Sequence, residues 1–100
     1  MAEEQFLEES EARDAVERLA GLVPGVVERR VGKDGIVRHA IPAKARRDGT
    51  ARKVPGALIE HRVGHLDRET VIAARVWRLL NERGPLSVTE LEVLIAETGT

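Results

Sequence analysis

The sequence predicts a small α+β domain: an N-terminal helix, a three-stranded antiparallel meander and two C-terminal helices. Three observations carry that expectation. Apolar residues recur at helical spacing near both ends of the chain. The β-branched runs "VVERRV" and "IVRHAI" fill the middle. Two Asp-Gly pairs, Asp34-Gly35 and Asp48-Gly49, punctuate that middle where hairpin turns would fall.

Residues 11–23 form the first expected helix. Ala12, Ala15, Val16, Leu19, Leu22 and Val23 follow the 3, 4, 7 spacing of one buried face, and Ser10 stands at the N-cap position. Gly21 and Pro24-Gly25 end it. The meander follows, with strands over about 26–31, 36–47 and 50–63. The joints are "GKDG" and "RRDGTA", where a type I′ turn needs positive φ at both central residues. Pro42 and Pro55 cannot donate to a ladder, so they mark edges, bulges or strand ends. Residues 67–83 form the clearest helix. Asp67 caps it, Val71, Ile72, Val76, Leu79 and Leu80 line its apolar face, and Trp77 stands at the margin. Ser87 and Glu90 form a capping box for the last helix, residues 87–98, with Leu86 placed to staple onto Leu91. Its apolar stripe is Val88, Leu91, Leu94 and Ile95. The acidic stretch 1–9 reads as a flexible extension, and 10–100 as one small domain.

Composition narrows the chemistry. The chain has 100 residues, 42% of them hydrophobic, enough for one modest core. With only Phe6 and Trp77 as aromatics that core is thin, so dimerisation or docking through the C-terminal helices is expected to support it, with Trp77, Leu80 and Leu94 as interface candidates. Two aromatics make no stacking platform for single-stranded bases. There is no cysteine, which removes disulfides, thiolate nucleophiles and the strongest zinc ligands. Both serines serve as helix caps and there is no tyrosine, so nucleophilic catalysis is not expected. A metal reading would rest on His61 and His65, four apart, with His39, Glu60 and Asp67 near. No HExxH pattern or cysteine partner strengthens it, so neither metal nor cofactor is expected. Gly32-Lys33 lacks phosphate-loop spacing from Gly25, and Asp34 stands where such a loop needs Ser or Thr. The N-terminus has no apolar leader, and no apolar run approaches the ~18 residues of a membrane span, so a cytoplasmic protein with no membrane partner is expected.

Charge is segregated. Residues 1–20 hold seven acids and two bases, residues 21–68 eleven bases and five acids, and residues 69–100 three bases and five acids. The densest basic stretch is "KARRDGTARK", residues 44–53. Folded as a hairpin around Asp48-Gly49, it would put Lys44, Arg46 and Lys53 on one face and set Lys44 directly against Lys53. A partner would then supply the missing counter-charge. Nucleic-acid phosphate is the commonest such partner, an acidic protein surface the next, and the chain's own acidic N-terminus a third, through an autoinhibitory contact. The candidate anion-binding residues are Lys44, Arg46, Arg47, Arg52 and Lys53, with Arg29, Arg30 and Lys33 beside the first joint.

Two resemblances bear on function. Residues 71–99, in the phrasing Leu79-Leu80 through Gly84-Pro85-Leu86-Ser87 to Glu90-Leu91, resemble the first two helices of a winged helix-turn-helix domain. That likeness implies a DNA-binding or regulatory protein. The sequence ends where the recognition helix would begin, so base reading by that helix does not carry over. Residues 41–53, through Ile41, Pro42, Ala43, Arg46, Asp48, Gly49, Thr50, Arg52 and Lys53, are similar to the N-terminal motif of the PYM family of adaptors, which bind a protein heterodimer. Ala51 stands where that family often has an aromatic. The expected function is a non-enzymatic nucleic-acid-binding or regulatory module that contacts phosphates through the basic hairpin. The alternative is a protein–protein adaptor, or a homodimer, that docks through the same hairpin or the C-terminal helices.

Overall fold

The structure, a computed structural model, describes residues 10–61 and 68–98. Helix α1 spans Glu11–Leu22 and strands β1 and β2 span Glu28–Val31 and Val37–Ala40. A short helix α2, Ala43–Arg47, and a 3-10 turn, Thr50–Lys53, lead into α3, Val54–His61. Two longer helices follow, α4 over Arg68–Arg83 and α5 over Val88–Thr98. The fold is α+β, with the expected N-terminal helix and C-terminal helix pair.

The helices begin where their caps dictate. Ser10 Oγ accepts the Arg13 N–H at 3.0 Å, satisfying one orphan donor of α1. Ser87 Oγ accepts the Glu90 N–H at 3.1 Å, and Glu90 Oε1 accepts the Ser87 N–H at 2.9 Å, closing the expected capping box. The expected cap of α4, Asp67, lies outside the described residues.

The meander departs from expectation. β1 and β2 pair antiparallel, with Glu28 opposite Ala40 and Val31 opposite Val37, and no third strand joins them among the described residues. Residues 43–61 are helical instead. Pro42 takes the N-cap position of α2 at φ −66°, and Ala43 to Arg47 are strong helix formers. Asp48-Gly49 therefore stops a helix; it does not turn a hairpin. Gly49 sits at φ 86°, the left-handed value that ends helices. Pro55 falls in the first turn of α3, where its missing N–H costs nothing. The decisive link is burial. Val54, Ala57 and Leu58 pack on the core at the 3, 4 spacing of a helix face, while Gly56, which would share a strand face with Val54 and Leu58, is exposed.

The first Asp-Gly joint is a hairpin, though not of type I′. Gly35, at φ 80°, is the only residue of the joint with positive φ. The Gly35 N–H donates to Gly32 O and the Gly32 N–H to Ile36 O, both at 3.0 Å. That is a three-residue loop in which the glycine takes the left-handed position. The Asp34 carboxylate accepts the Ile36 N–H at 2.9 Å, so Asp34 serves the turn through its side chain.

One core joins these parts. α1 lies along α4 and against α5, burying Val16 and Leu19 with Ile72, Val76, Leu80 and Leu91. A backbone bridge ties in the hairpin: the His39 N–H donates to Leu86 O at 2.7 Å, and the Leu86 N–H donates to His39 O at 3.0 Å. The residue that precedes the cap of α5 thus also covers the outer edge of β2. No helix among the described residues is long and apolar enough to cross a membrane.

Candidate functional site

The helical course of residues 43–61 rebuilds the basic segment. Lys44 and Arg47 stand three apart on α2, so they share a face. Arg52 and Lys53 follow on the 3-10 turn. All four are exposed, while Ala45 and Val54 fasten the segment to the core from beneath. Lys44 and Lys53 are not cross-strand partners, because there is no strand pair here. The repulsion expected between them is replaced by a shared acid.

That acid is Asp48. Its carboxylate accepts the Thr50 hydroxyl at 2.6 Å and the Thr50 N–H at 2.9 Å. These two bonds hold its pKa below the usual aspartate range, and the neighbouring positive charges of Lys44 and Lys53 lower it further. Asp48 thus stays ionised and faces five cations alone.

Arg46 plays another part. Its Nη1 donates to Asn81 Oδ1 at 3.1 Å, and Asn81 Nδ2 donates to Trp77 O at 2.9 Å. The guanidinium rivets the basic turn to α4. It belongs to the turn's scaffold, with its charge still exposed.

Among the described residues, none of Lys44, Arg47, Arg52 and Lys53 takes part in an ion pair or hydrogen bond through its side chain. Elsewhere several guanidiniums are matched with acids: Arg18 with Glu69, Arg30 with Glu28, Arg38 with Asp34 at 3.1 Å, and Arg68 with Glu11. The hairpin candidates accordingly separate. Arg30 is neutralised by Glu28, while Arg29 and Lys33 stay exposed.

A feature the sequence did not disclose is a groove of about 1250 Å³ between α1, the hairpin and the start of α5. Val16, Ala20, Val37 and Val88 floor it. Its rim mixes Arg13, Arg29 and Arg38 with Glu17, Glu28 and Glu90, so it selects no sign of charge. His39 faces it, and burial together with the nearby Arg29 lowers its pKa. The groove forms because α5 packs against both α1 and β2, a relation no local pattern encodes.

The remaining candidates divide between core and margin. Leu80 is 2% exposed and belongs to the core, so it presents no surface to a partner. Trp77 and Leu94 are half-buried against the same core. Of the histidine set, His65 and Asp67 lie outside the described residues, and no group of three or more His, Cys, Asp or Glu is placed to hold a metal among those described. Comparison of the chain with known protein families, curated proteins and solved structures finds no match.

Proposed function

We propose that the protein is a non-enzymatic nucleic-acid-binding module that contacts phosphates through the basic turn, Lys44 to Lys53. One observation carries this reading: five exposed cations around a single carboxylate, without ion pairs, in a chain that matches several of its other guanidiniums with acids. Uncompensated, converging cations are the electrostatic footprint of a polyanion site. Arginine forks suit phosphate oxygens in particular.

The winged-helix resemblance supports the same reading in a rotated chain order. α4, the strand-like bridge at Leu86 and α5 run as helix, short strand and helix. α1 and the β1–β2 hairpin pack against them, and we read these as standing in for the third helix and the wing. α1 turns Glu11, Asp14 and Glu17 outward. Its own cations are matched, Arg13 with Glu17 and Arg18 with Glu69, so contact falls to the basic turn.

The test is binding of duplex DNA as a function of salt. The slope of log K against log salt should be roughly −0.9 per phosphate neutralised. Arg47→Ala with Lys53→Ala should lower that slope by about two and weaken all sequences alike, because phosphate contacts position without reading bases. These residues are preferred to Arg46, whose loss would also release the turn from α4. Absence of duplex and RNA binding at low salt removes the reading.

A further inference from the structure

The two-stranded sheet has two outer edges, and only one is covered. Leu86 pairs with His39 and closes the β2 side. The β1 side is open among the described residues.

Which groups that edge offers follows from the register. His39 sends both its N–H and its C=O away from β1, to Leu86. Arg29 lies opposite His39, so Arg29–His39 is a non-hydrogen-bonded pair, and Arg29 must direct its own N–H and C=O away from β2. The alternation then makes Arg30–Arg38 a hydrogen-bonded pair and Val31–Val37 another open one. The Gly32 N–H to Ile36 O bond one step further fits that alternation. The β1 edge therefore presents four main-chain groups, two from Arg29 and two from Val31. Val31 is 65% exposed, and Arg29 and Arg30 are exposed beside it.

Such an edge is a template for another strand. A second copy of β1 fits poorly. Antiparallel self-pairing centred on Arg30 sets that arginine against its own copy; centring on Arg29 does the same and, in setting Glu28 opposite Arg30, only exchanges an ion pair each copy already has. Centring on Val31 sets Arg29 against Lys33 twice. Like charges directly opposite destabilise a strand pair. Acidic side chains at those positions remove the conflict and add attraction.

We propose that the open edge of β1 is a docking strand for an acidic, extended peptide segment of a partner protein, taken up by strand addition. The peptide's backbone pairs with Arg29 and Val31, one acid lies against Arg29, a second competes with Glu28 for Arg30, and an apolar residue covers Val31. This site is separate from the basic turn and does not rest on the phosphate reading.

The experiment is fluorescence anisotropy of labelled hexapeptides with the intact chain at moderate salt. The first probe repeats Val-Glu-Glu, which sets adjacent acids opposite Arg29 and Arg30 and an apolar residue opposite Val31; the second repeats Val-Lys-Lys; and the third is the acidic peptide N-methylated throughout. The acidic peptide should bind, and the basic and methylated ones should bind at least roughly tenfold more weakly, since strand addition needs both the charge and the peptide N–H groups. Val31→Pro deletes one outward N–H and no ladder bond to β2, and should weaken the acidic peptide by a similar factor. Arg29→Glu with Arg30→Glu should invert the preference toward the basic peptide. Arg47→Ala with Lys53→Ala should leave peptide binding unchanged. Equal binding of methylated and unmethylated acidic peptides overturns the proposal as simple charge adhesion, and so does no binding of the acidic peptide. The methylated probe is measured on the unaltered protein, so the comparison stands even if a β1 variant fails to fold.

Discussion

The carboxylate of Glu92 caps a helix whose N-cap residue lies 82 positions earlier: Ser10 Oγ donates to it, and so does the Ala12 N–H at 3.0 Å. Ser10 at the same time accepts the Arg13 N–H, so one serine and one distant glutamate together satisfy the first turn of α1. This half-buried contact locks α5 onto the start of α1. Glu92→Ala should cost about 1–2 kcal/mol, because it strands a donor as well as losing a charge-assisted bond. A denaturant midpoint equal to that of the unaltered protein would remove the tertiary cap.

The capping box at the head of α5 gives a second expectation. Ser87→Ala should destabilise by about 1 kcal/mol. Glu90 is held below the ordinary glutamate value of 4.5 by the Ser87 N–H and then by the Ser87 side chain, with a smaller contribution from Arg38. Its pKa is depressed on folding, so its contribution is present above pH 4.5 and is lost as the pH falls through the folded value. Glu90→Gln should flatten that acid limb. An acid limb of unchanged steepness would contradict it.

His39 adds a pH effect nearer neutrality. Its folded pKa lies below 6.5, so the unfolded chain takes up the proton first on acidification. Stability therefore falls as the pH drops through 6.5 and levels off below the folded value. His39→Gln should remove this slope in the window that opens as the pH falls through 6.5. Thermal melts across that window, in the two proteins side by side, read the difference.

Gly49 tests the helical stop. It sits at φ 86° with open space where a Cβ would be. Gly49→Ala should therefore cost about 1–2 kcal/mol through backbone strain alone. A neutral result would mean that the stop does not need the left-handed conformation.

Asp48 tests the charge of the turn. Asp48→Asn keeps an oxygen to accept both Thr50 bonds and removes the one negative charge among the five cations. Duplex binding at low salt should tighten several-fold, with little change in melting temperature. Weaker binding with an intact fold would contradict a phosphate role for the turn.

The sequence by itself determined helices α1, α4 and α5 and the starts of α1 and α5. Ser10 and Ser87 carry their capping bonds within three residues, and the apolar spacings of α1, α4 and α5 are local properties of the chain. It also determined the density of charge at residues 44–53, since exposed cations stay exposed in almost any fold. What it misplaced was the conformation beneath that charge. Asp-Gly favours positive φ at the glycine, and that one dihedral serves a hairpin tip or a helix stop equally well. The tertiary structure decided between them, because burying Val54, Ala57 and Leu58 together requires helical spacing. It alone brought Glu92 to Ser10, Asn81 to Arg46 and Leu86 to His39. It also left the β1 edge open while closing that of β2. These are pairings between distant segments, fixed by how the helix faces pack into one core, and no local pattern of residues carries them.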